Sequence, residues 1–146
     1  MKYLIKKSYL KMIENSLETK MFRSFYVKID GKEKDIMEKG KRSCANFVSS
    51  ILYLFKLIKS NHATVKSTFE DAVSCGWELT NKPEKGDLVF WEELKGTAHV
   101  GFYWNGKEAI SNSPEKGFPI KHSLDYEGKR KITHILHFDF DKLNKN

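Results

Sequence analysis

The hydrophobic pattern of this 146-residue chain changes from helical to extended spacing near residue 77. Before that point, apolar residues recur every three or four positions over residues 2–19, 44–59 and 65–75, which predicts three helices. After it, short apolar or alternating segments between turn residues predict strands, and residues 22–29 predict an earlier one. Helices followed by a meandering sheet indicate an α+β fold, with an antiparallel sheet of about five or six strands.

Cys44 lies where the second predicted helix begins. Apolar residues follow it at helical spacing: Phe47, Val48, Ile51 and Leu52. Ser43 is a suitable N-cap, so the free N–H groups and the positive helix dipole of the first turn favour thiolate at Cys44. A nucleophilic cysteine is one interpretation. The alternatives are a small buried hydrophobe and a disulfide with Cys75, which would remove the nucleophile.

His99 is the histidine that we select as a candidate base. Period-two alternation predicts that His99, Gly101 and Tyr103 share one face of a strand, and Gly101 leaves room beside the imidazole. A lone strand histidine is more often structural. We interpret His134 and His137 in that way, and His62 and His122 as loop or surface residues.

The dipeptide Asn105-Gly106 predicts a two-residue hairpin turn after this strand. That register sets Asn112 opposite His99, with Cβ atoms ~5 Å apart. An amide in this position would hold the imidazole ring and its tautomer. A register shift of one residue would bring Ser111 or Ser113 to the ring instead.

Cys44, His99 and Asn112 would together form a triad of the Cys-His-Asn type, with Ser111 as the alternative third residue. His99 would take the thiol proton or stabilise a thiolate–imidazolium pair, and the sulfur would attack an acyl carbon. The backbone N–H of Cys44 is a natural oxyanion donor. Water would then hydrolyse the thioester, and we expect neither a cofactor nor a metal.

Four segments resemble those of the NlpC-type papain-like cysteine peptidases of bacterial cell walls: Ser43–Val48, Lys85–Trp91, His99–Tyr103 and Asn105–Lys107. The resemblance covers residues 40–113, and the CHAP amidases share the plan less closely. It implies a papain-like fold, with the catalytic cysteine at a helix N-terminus packed on the sheet. It also implies cleavage of γ-D-glutamyl–diamino-acid bonds or N-acetylmuramoyl–L-alanine amides.

The chain departs from this family's pattern around the cysteine. The family usually has Asp before it and Ser-Gly after it, where this chain has Ser43 and Ala45-Asn46. We expect these positions to line the site. The resemblance therefore does not identify which amide bond is cleaved. Side chains proposed to contact substrate are Ser43, Trp91, Tyr26 and Tyr103.

We expect one catalytic domain over residues 1–146. Residues 1–40 would be an N-terminal helix and strand extension, residues 41–113 the catalytic core and residues 114–146 the C-terminal strands. Residues 1–20 are basic, and lysines interrupt their apolar positions, so no signal peptide is visible. The interpretation is therefore a cytoplasmic protein or one exported by a non-classical route, such as a phage lysin or an effector.

The leading functional hypothesis is a cysteine hydrolase that cleaves amide bonds in peptidoglycan stem peptides. The net charge of +7 suits an anionic cell-wall polymer as a further partner. Nucleic-acid motifs are absent, and no apolar run reaches the ~20 residues of a membrane span. The alternatives are an acyltransferase or protein-directed peptidase of the same fold, and a catalytically silent binding module.

Overall fold

The structure is a computed structural model that describes residues 1–144. Within this range the helices are α1 (Ile5–Asn15), α2 (Cys44–Leu54) and α3 (Val65–Ser74), and a short 3-10 helix (Phe140–Asn144) follows the last strand. The strands are β1 (Tyr26–Ile29), β2 (Lys32–Asp35), β3 (Glu78–Leu79), β4 (Leu88–Leu94), β5 (Thr97–Tyr103), β6 (Glu108–Ser113), β7 (Phe118–Ser123) and β8 (Ile132–His137). None of the described helices has the length and hydropathy that a bilayer-spanning helix requires.

Strands β3 to β8 form one antiparallel sheet of six strands in the order β3-β8-β4-β5-β6-β7. This confirms the predicted α+β class and the predicted antiparallel sheet. Strands β1 and β2 form a separate hairpin. The sequence predicted a loop where β2 lies, because its residues are charged and lack an apolar face to reveal the strand.

Helix α2 begins at Cys44 as predicted, but it ends at Leu54 rather than near residue 59. Lys56 adopts a left-handed conformation with φ 58°, and the N–H of Leu57 donates to the carbonyl of Leu52 at 3.0 Å. This is the hydrogen-bond pattern of a Schellman motif, which ends a helix without requiring glycine. The chain turns there because the Leu57 side chain is buried in the core.

The hairpin between β5 and β6 has a different register from the predicted one. Tyr103 pairs with Ala109, and the N–H of Trp104 donates to the carbonyl of Glu108, so three residues form the turn. Neither Asn105 nor Gly106 has the positive φ that a two-residue type I′ turn requires. The Asn105 side chain instead accepts the N–H of Lys107 at 2.9 Å, which closes an Asx-turn.

The sheet has a core on each face. On one face, α2 packs Phe47 and Ile51 against Val100, Phe102 and other apolar residues of the larger buried cluster. On the opposite face lies a smaller cluster: Val89, Trp91 and Ala109, with Tyr103, Leu124, Tyr126 and Ile132 around it. Alternate residues of β5 therefore belong to different cores, in agreement with the predicted period of two.

Candidate active site

Cys44 is the first residue of α2, and its thiol reaches the neighbouring sheet. Its Sγ donates a long hydrogen bond to the carbonyl of Ala98 at 3.9 Å, on β5. Inside the helix the first donor is the N–H of Phe47, which bonds the carbonyl of Ser43 at 2.8 Å. The N–H groups that precede it, including that of Cys44, have no acceptor within the helix.

His99 follows Ala98 on β5, so the imidazole and the Cys44 thiol come from adjacent parts of the molecule. Cys44 and His99 line one cavity of about 520 Å³, together with Asn112 and Thr97. The imidazole is only 4% exposed and lies against the indole ring of Trp91, with ring centroids 5.0 Å apart. Both cysteines of the chain, Cys44 and Cys75, are free thiols, so a disulfide between them is not formed.

Burial controls the protonation of this pair. It raises the pKa of the Cys44 thiol, although the N–H of Val100 and the guanidinium of Arg130 act in the opposite direction. Burial, followed by the charge of Arg130, lowers the pKa of His99 to about 3. The N–H groups of Ala45 and Cys44 at the helix N-terminus also lower the pKa of the thiol, but burial outweighs them. Near pH 7 the pair consists of a neutral thiol and a neutral imidazole.

Arg130 holds its guanidinium beside this pair through backbone contacts. Its Nε donates to the carbonyl of Glu92 at 2.9 Å, and its Nη2 donates to the carbonyl of Thr97 at 2.7 Å. These two carbonyls belong to β4 and β5, so the charge is fixed relative to the strand that carries His99. Sequence reasoning did not select Arg130, because a basic residue in a charged turn carries no local signal of this position.

The Nε2 atom of His99 is held by two hydroxyl groups. It lies 3.0 Å from the Ser111 Oγ and 2.8 Å from the Tyr126 hydroxyl. The Ser111 Oγ is in turn 2.6 Å from the Nε2 of His122. Sequence reasoning named Ser111 only as an alternative, interpreted His122 as a loop or surface residue and did not consider Tyr126. The period of two in β7 was the one local signal that the His122 side chain lies on a packed face of the sheet rather than in solvent.

Asn112 makes no hydrogen bond to the imidazole, and its amide is used elsewhere. The side chain is only 2% exposed, and its Nδ2 donates to the carbonyl of Gly40 at 2.7 Å, which ties the loop before α2 to β6. The altered hairpin register explains this, because continuing it by one residue sets Ser111 opposite Gly101. A Cβ on Gly101 would lie 2.7 Å from the Cβ of Ser111. The Ser111 side chain therefore occupies the space that Gly101 leaves beside the imidazole.

The four predicted substrate contacts lie in different surroundings. Trp91 is buried behind His99 and donates its indole N–H to the carbonyl of Leu124 at 2.8 Å. Tyr103 packs beside the same smaller core, and Tyr26 is 68% exposed on the separate β1–β2 hairpin. Ser43 is the N-cap residue of α2, but its buried Oγ has no hydrogen-bond partner among the residues that the structure describes. None of the four lines the cavity shared by Cys44 and His99.

An α+β fold that sets a thiol at the start of a helix beside an imidazole on an adjacent sheet strand is the architecture of the papain-like thiol hydrolases. The model of the NlpC/P60 family matches residues 19–135. The chain therefore belongs to the NlpC/P60 family, whose members are generally cysteine peptidases and amidases of the cell wall. Among curated proteins, no relative matches the chain.

Proposed function

We propose that this protein is a cysteine hydrolase that cleaves amide bonds in peptidoglycan stem peptides through a thioester acyl-enzyme. The observation that carries the proposal is the cavity of about 520 Å³ lined by both Cys44 and His99. In the proposed site Cys44 is the nucleophile, His99 is the general base and Ser111 is the third residue of the triad. We assign Asn112 to positioning the loop before α2, because its amide bonds Gly40.

The first step begins from neutral groups. The Nδ1 atom of His99 accepts the proton of the Cys44 thiol while the sulfur attacks the carbonyl carbon, so the S–H bond breaks as the S–C bond forms. The raised pKa of Cys44 and the lowered pKa of His99 favour this coupled transfer over a resting ion pair. The charge of Arg130 favours the thiolate as it forms, since Arg130 lowers the pKa of Cys44.

The tetrahedral intermediate places negative charge on the former carbonyl oxygen. The N–H of Cys44, at the positive end of α2, is free of any acceptor in the helix and is the proposed oxyanion donor. His99 then gives its new proton to the leaving amine, and the C–N bond breaks. Water, activated by the same imidazole, hydrolyses the thioester and releases the carboxylic acid.

Two observations support a cell-wall substrate. The chain belongs to a family whose members generally act on the cell wall. Its formal net charge of +7 also favours association with an anionic wall polymer. In this proposal the dispersed charge speeds association with the wall, and the residues that line the cavity select the bond.

The test uses purified sacculi and soluble muropeptides, with products identified by mass and by new amino groups. We expect wild-type protein to release peptides and Cys44→Ala to lose at least about 10,000-fold in rate. Cys75→Ala is the matched control and should cleave within about twofold of wild type, because Cys75 lies outside the cavity. Cleavage by Cys44→Ala at the wild-type rate would refute the proposal. Transfer of the acyl group to an added amine rather than to water would replace hydrolysis by acyl transfer.

A further inference from the structure

Three polar side chains behind His99 form a closed hydrogen-bonded cluster with it, which we call the relay cluster: His99, Ser111, His122 and Tyr126. The Tyr126 hydroxyl lies 3.1 Å from the Ser111 Oγ and 3.2 Å from the His122 Nε2, in addition to its contact with His99. The rings of His122 and Tyr126 stack with centroids 4.2 Å apart at 18°. His122 does not line the cavity that holds Cys44, so it acts on the site only through the other members.

The protons of this cluster can be assigned from one end. The Nδ1 of His122 lies 2.7 Å from the carbonyl of Ser123, and since a carbonyl only accepts, Nδ1 carries the proton. Burial lowers the pKa of His122, so the ring is neutral near pH 7 and its Nε2 is an acceptor. The Ser111 hydroxyl, at 2.6 Å, is the closest donor to that nitrogen.

The direction of this hydrogen bond decides the tautomer of His99. Because Ser111 gives its proton to His122, the Ser111 oxygen offers only lone pairs to the Nε2 of His99, 3.0 Å away. If Tyr126 donated to the Nε2 of His99, that nitrogen would carry no proton. Its lone pair and those of the Ser111 oxygen would then face each other at 3.0 Å. If the Nε2 of His99 carries the proton, it donates to Ser111 and Tyr126, and Tyr126 donates to Ser111 or His122. Only one of the two longer Tyr126 contacts, at 3.1 and 3.2 Å, is then left without a proton, whereas the other arrangement leaves the His99–Ser111 contact without one as well.

We propose that His122 is a positioning residue that fixes His99 in the Nε2–H tautomer through the Ser111 hydroxyl. The Nδ1 of His99 then keeps its lone pair, which is the atom needed to take the Cys44 proton. When His99 becomes an imidazolium, its Nε2–H donates more strongly to Ser111, and Ser111 in turn to His122, so the positive charge is stabilised without a further proton transfer. Tyr126 holds the His122 ring by stacking and provides a second acceptor for His99.

The direct test is the tautomer of His99, read by nitrogen-15 NMR of histidine-labelled protein near pH 7. We expect a protonated Nε2 and an unprotonated Nδ1 in wild type. In His122→Phe, Ser111 loses its acceptor and turns its proton towards His99, so Nδ1 should carry the proton in a large share of molecules. A protonated Nδ1 in wild type, or an unchanged tautomer in His122→Phe, would overturn the proposal. If His122→Phe does not fold, the wild-type spectrum and His122→Gln, whose side-chain oxygen can accept the Ser111 proton, still decide.

Kinetics give a second readout. His122→Phe should lower kcat about 10- to 100-fold with KM nearly unchanged, and His122→Gln should recover most of that loss. His134→Phe, at an exposed histidine on β8, is the matched control and should leave kcat unchanged. If His122 acts through Ser111, the double variant Ser111→Ala/His122→Phe should be no slower than Ser111→Ala by more than about twofold. Additive losses would contradict this route.

The inference rests on the proposed base role of His99, but the tautomer measurement needs no substrate. An inactive protein with the expected tautomer would refute the proposed function and leave the relay cluster intact. An active protein with the opposite tautomer would refute the role of His122 and leave the proposed function intact.

Discussion

The molecule contains two neighbourhoods in which a free, half-buried cysteine lies at a helix end close to a histidine. Cys44 begins α2 and shares its cavity with His99. Cys75 caps the end of α3, where its Sγ lies 3.4 Å from Asp71 Oδ1, and Asp71 Oδ2 lies 2.7 Å from the Nε2 of His62. The residue types alone do not tell these neighbourhoods apart.

What separates them is where the polar atoms are used. The Asp71 carboxylate also accepts the N–H groups of Lys59 and Ser60, so it fastens the loop between α2 and α3. Its negative charge and the carbonyl end of α3 both oppose a thiolate at Cys75. The start of α2 offers N–H groups without acceptors, which suit developing negative charge. A cysteine beside a histidine thus indicates a reactive site only where free donors remain.

The largest expected difference between the two neighbourhoods is in activity. His99→Gln should lower kcat for muropeptide cleavage about 1,000-fold, because the proposed general base is lost. His62→Gln changes the same residue type in the other neighbourhood and should stay within about twofold of wild type. Steady-state kinetics on one muropeptide checks both, and equal losses in the two variants would remove the distinction.

Stability should show the reverse order. Asp71→Ala removes the acceptor for two backbone N–H groups and for His62, so we expect the free energy of unfolding to fall by about 2–3 kcal/mol. Ser111→Ala should cost about 1 kcal/mol or less while lowering kcat at least about tenfold. Urea unfolding measures the first quantity and kinetics the second. A Ser111→Ala protein with full activity would show that Ser111 is not a functional third residue of the triad.

The pH dependence of stability separates the two histidines further. Because the folded-state pKa of His99 is lowered to about 3, the unfolded chain binds the extra proton first, and stability falls as the pH drops below about 6.5. We expect a loss of about 2 kcal/mol between pH 6.5 and 5. His62→Gln should keep this slope, because His62 lies beside Asp71 and outside the cavity of His99, so the surroundings of His99 do not change. His99→Gln should lose most of it, and a slope unchanged in His99→Gln would contradict the assignment.

The smallest expected effect concerns the two thiols directly. Arg130 lowers the pKa of Cys44, so Arg130→Gln should move the alkylation profile of Cys44 to higher pH. Burial raises the pKa of Cys75, and the cation that opposes this is Lys59 rather than Arg130, so the Cys75 profile should not move. Iodoacetamide labelling followed by peptide mass spectrometry reports both cysteines in one sample. Lys129→Gln is the charge-matched control, and an equal shift in that variant would mean that net charge alone is responsible.

Local patterns predicted much of this site. The start of α2 at Cys44 followed from an apolar period of 3.6 behind a small polar N-cap, and the face of His99 followed from alternation in β5. Both depend on residues within a few positions of each other, so the sequence contains all the information they require. The Asp30-Gly31 dipeptide carries a local signal of the same kind, and in the structure both residues have the positive φ of a two-residue hairpin turn.

The partner of His99 could not be predicted in this way. Asn105-Gly106 carries the same local signal as Asp30-Gly31, yet Asn105 uses its side chain to close a longer turn, and the register changes by one residue. A change of one residue moves Asn112 off the sheet face of His99 and brings Ser111, opposite Gly101, onto that face. His122 and Tyr126 come from β7 and the loop after it, and only the order of strands in the sheet brings them to the same place.

The sequence by itself determined the fold class, the helix that presents Cys44 and the strand that carries His99, because each is encoded in a local period. Tertiary structure alone decided which groups hold the far side of the imidazole and how deeply Cys44 and His99 are buried. Hydrogen-bond partners and burial depend on contacts between strands and turns that are distant in the chain, and a linear pattern does not encode those distances.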